Sequence, residues 1–169
     1  PDLKALIFDL AAEALPIDKR EEALVKISEH EDPIAYAVLQ AMFKSNYDGR
    51  LKSKSQQLLV ERIKKQGRER SADILNRWFS AVQEERRNPA DLPLFPLLFR
   101  AADASKPAES RQQALEEAYK VDSVRGLQMT AALMLDEGEK NFLPLLRKML
   151  TLESPEVDFS NRGVGALLL

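Results

Sequence analysis

Glu31-Asp32-Pro33 ends one apolar helical segment and begins another, and the same kind of break recurs at Ala104-Ser105-Lys106-Pro107 and Glu153-Ser154-Pro155. Proline is favoured in the first turn of a helix, where its missing N–H costs nothing, and it cannot continue a helix that precedes it. Each junction therefore reads as a helix ending and a second helix starting, close to antiparallel. Repetition of such a unit is the mark of an α-solenoid.

Apolar spacing around these junctions extends the pattern along the chain. Leu3, Leu6, Ile7, Leu10 and Ala14 predict a helix over 3–14, which Pro16 ends. Asp18 is read as an N-cap for the next, with the stripe Ala23, Leu24 and Ile27. After Pro33 the stripe is Ile34, Val38, Leu39, Met42 and Phe43. The turn Asn46-Tyr47-Asp48-Gly49 precedes a long basic helix through Leu51, Leu58, Leu59 and Ile63, capped by Gly67.

Ser71 is read as the next N-cap, before Ile74, Leu75, Trp78, Phe79 and Val82, with both aromatics expected in the core. Asn88-Pro89 breaks the chain, and Asp91-Leu92-Pro93 restarts it into a short helix holding Pro96 in its first turn. Residues 107–119 form another, with Ala114, Leu115 and Ala118 inward. Asp122 or Ser123 caps the helix through Leu127, Thr130, Ala131, Met134 and Leu135, which Gly138 stops. Phe142 to Leu150 form a ninth helix, and a tenth runs from Pro155. The expected fold is all-α: about ten helices stacked as antiparallel pairs, one solenoid domain over 1–169.

The spacing of junctions tests this. Pro33 and Pro107 lie 74 residues apart, two units of 37, with Arg70 at the midpoint just before Ser71. From Pro107 to Pro155 the gap is 48 residues, room for one extra helix at about 122–136. HEAT and armadillo repeats have periods of about 40–47 residues. Asn141-Phe142-Leu143-Pro144-Leu145-Leu146-Arg147-Lys148-Met149-Leu150, followed by Glu153-Ser154-Pro155-Glu156-Val157, resembles a HEAT repeat. Glu29 to Phe43 and Leu94 to Leu115 resemble it less closely. Asp158 stands where that family has a basic residue, and Gln113 and Asn161 stand where it has small ones. The resemblance implies a HEAT/armadillo-like superhelix whose second helices line a concave binding face.

Composition agrees with a globular helical chain. Of 169 residues, 44% are hydrophobic and 31% charged, a balance that excludes global disorder. No apolar run approaches the roughly 18 residues of a membrane span. Cysteine is absent, so there is no disulfide framework and no thiolate metal site; a cytoplasmic location is expected. Pro1 to Leu10 carry Asp2, Lys4 and Asp9, unlike a signal peptide.

Catalytic patterns are scarce. His30 is the sole histidine and reads as a loop residue beside a helix C-terminus. No serine sits in a G-x-S-x-G elbow, and there is no phosphate-binding glycine loop. Gly163-Val164-Gly165 reads as a close-packing point. No enzymatic activity, metal or cofactor is expected. The expected function is a protein–protein interaction scaffold or adaptor holding a segment of another protein. Polar residues opposite the apolar stripes of the second helices are its candidate contacts: Tyr36, Gln40, Lys44, Asp73, Arg77, Gln112 and Glu116.

Charge provides the alternative. Residues 50–70 hold Arg50, Lys52, Lys54, Arg62, Lys64, Lys65, Arg68 and Arg70 against Glu61 and Glu69, a balance of +6, whereas residues 1–49 hold ten acids and five bases. Such a belt attracts nucleic acid or an acidic partner. It lacks interleaved aromatics for base stacking, and the whole-chain pI is about 5.6; a solvated helix face is the plainer reading. Finally, Gly163 to Leu169 is apolar and uncapped. It reads as an unfinished repeat of a longer chain, with self-association as the consequence of exposure.

Overall fold

The computed structural model describes residues 2–42, 47–84 and 94–151. Among them are nine α-helices and no strand: α1 (Leu3–Ala11), α2 (Ile17–Ser28), α3 (Pro33–Ala41), α4 (Gly49–Lys65), α5 (Glu69–Glu84), α6 (Leu94–Ala102), α7 (Ala108–Val121), α8 (Ser123–Glu137) and α9 (Leu143–Thr151). The all-α reading holds, and the count lies close to the expected ten. The tenth helix, the Gly163-Val164-Gly165 point and the closing leucines lie outside the described residues, as does Lys44.

Local chemistry explains most boundaries. Asp32 caps α3 by accepting from the Ile34 amide at 2.7 Å, with Pro33 in the first position. Asp48 does the same for α4 through the Arg50 amide at 2.8 Å. Asp122 caps α8 through the Arg125 amide at 2.9 Å. Gly67 and Gly138 end α4 and α8 with φ of 81° and 92°, a region that disfavours a Cβ.

Two predicted caps are displaced. Pro16, not Asp18, stands at the N-cap of α2; Asp18 sits in the first turn, where its charge favours the helix dipole. α5 starts at Glu69, which places Ser71 inside the first turn instead of at the cap. A carboxylate from another helix caps that turn, as described below.

The chain divides into two compact units, Pro1–Glu61 and Arg62–Leu169, with the boundary inside α4. In the first, α1 and α2 pack as a hairpin, and α3 packs on α2. Leu6, Leu10, Leu24, Ile27, Tyr36, Leu39 and Leu51 fill its interior. The Ser55 hydroxyl donates to the Leu39 carbonyl at 2.6 Å, joining α4 to α3. In the second unit α8 is central and touches α5, α6, α7 and α9. Its core includes Leu75, Leu98, Phe99, Leu115, Leu133, Phe142 and Leu146.

The hairpins α1–α2 and α6–α7 share one design. Leu3, Leu6, Phe8, Ala11, Pro16, Arg20, Ala23 and Leu24 recur 91 positions later as Leu94, Leu97, Phe99, Ala102, Pro107, Arg111, Ala114 and Leu115. Pro16 and Pro107 adopt matching N-cap backbones, φ −55° and ψ 143° against φ −57° and ψ 144°. The arginine in the fourth position of each second helix turns back on the first. Arg20 Nε donates to the Leu10 carbonyl at 2.8 Å, and Arg111 Nε to the Ala101 carbonyl at 2.7 Å. Each satisfies a carbonyl of a last turn, which has no intrahelical partner. Each also closes its hairpin at the same register.

Candidate functional site: a groove between α5 and α8

α5 and α8 pack in the second unit and leave an open groove of about 620 Å³ along their junction. That size falls within the range of about 300–1,000 Å³ usual for binding clefts. The α5 wall carries Arg70, Asp73, Ile74, Arg77 and Trp78; the α8 wall carries Gln128, Ala132 and Leu135. Its floor is apolar. Leu135 is 39% exposed, a large aliphatic side chain at the open surface. Trp78, which lines the same groove, and Phe79 are both half-buried, so both depart from the expected core position. Phe79 faces elsewhere and meets the Phe95 ring edge-on, with centroids 5.6 Å apart. A step of about 100° between adjacent helical residues separates the two environments.

Hydrogen bonds fix the end of the groove. Asp136 Oδ2, on α8, accepts from the Ser71 amide at 2.9 Å and from its hydroxyl at 2.7 Å. Oδ1 lies 3.3 Å from the Arg70 amide. A carboxylate from α8 therefore caps the N-terminus of α5. Next to it, Glu137 accepts from Arg68 at 2.6 Å and from both terminal nitrogens of Arg111. Burial acts against the charged form of Glu137, but hydrogen bonds from Arg111 and Arg68 outweigh it and hold the carboxyl below its ordinary range. The Arg111 guanidinium also lies 5.2 Å from the Phe142 ring centroid, a cation–π distance.

A second polar knot lies nearby. Asp103 is fully buried, and its Oδ1 accepts from Gln66 Nε2 at 3.0 Å and from the Ser105 hydroxyl at 2.7 Å. Gln66 Oε1 in turn accepts from the Ala104 amide at 2.9 Å. Together these contacts pin the end of α4 to the loop between α6 and α7.

The predicted contact residues separate into groups. Asp73 and Arg77 line the groove. Gln112 donates to the Asn141 carbonyl, and Glu116 pairs with Lys148 at 3.0 Å, so both face the α9 side of α7. Gln40 is half-buried on α3. Tyr36 is a correction: it is 2% exposed and belongs to the core, whereas Ile34, expected inside, is 58% exposed. α3 is apolar on nearly every side, so contacts with neighbouring helices decide which face turns inward.

The basic segment is largely used within the protein. Arg50 pairs with Asp18 at 2.7 Å and Glu21 at 2.5 Å. Lys52, expected on the belt, is buried at 3% exposure. Arg68 is committed to Glu137, and Arg70 Nη1 donates to the Leu135 carbonyl at 3.2 Å. Lys64 and Lys65 are exposed, and Lys64 approaches Asp73 at 3.9 Å.

Among the described residues no group of three or more histidine, aspartate or glutamate side chains gathers as metal ligands, and no helix is long and apolar enough to cross a membrane. Fold and site together define an all-α helical protein with an exposed, partly apolar interhelical groove. No protein-family model, curated protein or solved structure matches the chain.

Proposed function

We propose that this chain is a non-enzymatic interaction scaffold, built from stacked antiparallel helix pairs of HEAT or armadillo type, that holds a segment of another protein between α5 and α8. The observation carrying the docking reading is the groove itself, with Leu135 and Trp78 presented at its opening. Half-buried aromatic and aliphatic side chains in a cleft are the usual anchors of protein recognition. The repeat reading draws support from the duplicated hairpin. Its offset of 91 residues is close to two periods of the 40–47 residues typical of these repeats.

A photo-crosslinking amino acid placed at Gln128 in the native host tests the docking reading. Discrete protein adducts are expected, lost when Leu135→Glu is added and absent when the crosslinker stands at the exposed Glu109. Equal adducts at both positions would refute it. Small-angle scattering tests the stack: a radius of gyration at the roughly 15–16 Å of a compact 169-residue domain would exclude an extended superhelix. The exposed Lys64 and Lys65 support a narrower second reading, nucleic-acid or acidic-partner binding through residues 50–70. A mobility-shift titration at two salt concentrations checks it, since phosphate binding weakens steeply with salt.

A further inference from the structure

We infer that the segment held between α5 and α8 is an amphipathic helix whose apolar stripe is flanked by carboxylates, an inference that rests on the docking reading above. The walls are the first argument. Ile74 and Trp78 stand one turn apart on α5, and Gln128, Ala132 and Leu135 follow at spacings of four and three on α8. Ridges of that pitch receive the side chains of a third helix at i, i+3, i+4 and i+7. The described residues contain no strand, so strand addition to a sheet edge is not open to the occupant.

Charge is the second argument. Along the α5 rim, Arg70 and Arg77 bracket Asp73. Asp73 faces Lys64 at 3.9 Å. At the end of the groove Glu137 is paired with Arg68 and Arg111, whereas Asp136 keeps its charge, because its donors on Ser71 are neutral. Arg77 Nε reaches the Asp73 carbonyl at 3.4 Å, and Arg70 Nη1 reaches the Leu135 carbonyl. Neither guanidinium forms an ion pair with a carboxylate among the described residues, and the three cations Arg70, Arg77 and Lys64 against the two carboxylates Asp73 and Asp136 leave the rim one positive charge in excess. The α8 wall, with Gln128, Ala132 and Leu135, adds no charge. Guanidinium groups favour carboxylates through paired N–H donors. An occupant with glutamate or aspartate beside its apolar anchors thus meets both walls, and a lysine-flanked one meets repulsion.

The test is selection from a display library of 16-residue peptides with leucines fixed at helical spacing and the other positions free to be acidic, basic or neutral. The full chain is the bait, and Leu135→Glu and Gln128→Trp variants, checked for helicity by circular dichroism, are the counter-selectors. An enriched peptide is then synthesised and titrated against the fluorescence of Trp78, the single tryptophan of the chain. Enriched peptides are expected to carry net negative flanks. The Arg70→Glu/Arg77→Glu double variant should bind them at least tenfold more weakly and prefer lysine-flanked versions. Enrichment of neutral or basic peptides, or an affinity unmoved by the double reversal, overturns this inference while leaving docking in place. Absence of any enrichment sensitive to Leu135→Glu and Gln128→Trp removes the docking reading as well.

Discussion

Arg111 grips Glu137 with both terminal nitrogens, while its Nε holds the Ala101 carbonyl at 2.7 Å. One guanidinium therefore joins the end of α6, the first turn of α7 and the last turn of α8. Both side chains are withdrawn from water, with 4% and 11% exposure. In the equivalent hairpin Arg20 makes the same carbonyl bond from a half-buried position. The second unit has thus added an ion pair to a hairpin device present in both.

Breaking this pair from one side should be costly. Arg111→Met leaves the Ala101 carbonyl without its donor and deprives the Glu137 charge of its main partner. Removing one member of a buried pair costs about 3–5 kcal/mol. Arg68 remains on Glu137 and sets the loss toward the lower end. Urea denaturation of the two proteins at neutral pH measures it, and the Arg111→Met/Glu137→Met double variant should recover part of the loss.

The pH dependence follows from the direction of the Glu137 shift. Its folded-state pKa lies below the ordinary value of 4.5. The unfolded chain then takes up the proton first as pH falls. The stabilisation is fully present above the ordinary value, diminishes below it and is gone once pH passes the depressed folded value. Wild type should therefore exceed Glu137→Gln in urea midpoint at pH 7, with the difference shrinking below about pH 4.5. A difference that is constant from pH 7 to 2 would assign the effect to packing.

At Gly126 the backbone of α8 comes close to that of α7. A Cβ there would stand 2.6 Å from Tyr119 Cα and 2.7 Å from its amide nitrogen, both backbone atoms that cannot swing aside. Alanine favours a helix interior over glycine by about 1 kcal/mol, yet overpacking costs roughly 1–3 kcal/mol. Gly126→Ala should be destabilising on balance. Thermal melting will show a lower Tm if so; a rise would mean that the helices separate freely.

Asp136→Ala removes the cap that α8 supplies to α5. The Ser71 amide and hydroxyl lose their acceptor, with an expected cost of about 1–2 kcal/mol. Hydrogen exchange should quicken first in residues 69–72. Because Arg70 lines the groove and its amide lies 3.3 Å from Asp136 Oδ1, any peptide bound there should also dissociate faster from this variant.

Leu135→Glu separates surface from core. With 39% exposure, Leu135 can turn a carboxylate outward, so the loss of stability should stay below about 1 kcal/mol. A buried neighbour such as Leu133→Ala, with no exposure, should lose about 2–5 kcal/mol. Parallel urea curves compare the two. A large loss for Leu135→Glu would move this residue from the groove wall into the core.

Helix placement was legible in the chain because its signals are local. Pro33, Asp48, Gly67, Asp122 and Gly138 act through their own backbone geometry or an amide two or three residues away, and their boundaries are where those residues demand. Facing was less legible. On α3 Leu39 and Met42 of the expected stripe are buried, but Ile34 is exposed while Ala35 and Tyr36 turn inward, because an almost wholly apolar helix carries little directional signal. On α8, packed against four other helices, Met129 and Leu133 are buried while Leu135 is open.

The groove was half legible: Asp73 and Arg77 stood among the candidates, but its α8 wall was not anticipated. The amino-acid order by itself determined an all-α chain and the positions of most helix ends, since caps, prolines and positive-φ glycines act within a few bonds. Only the tertiary structure decided that Arg111 meets Glu137, 26 residues away, that Asp136 caps a helix 65 residues upstream, and that Lys52 is buried while Leu135 is exposed. Those outcomes depend on which helices touch, and burial, ion pairing and clefts are properties of the contact between helices rather than of either helix alone.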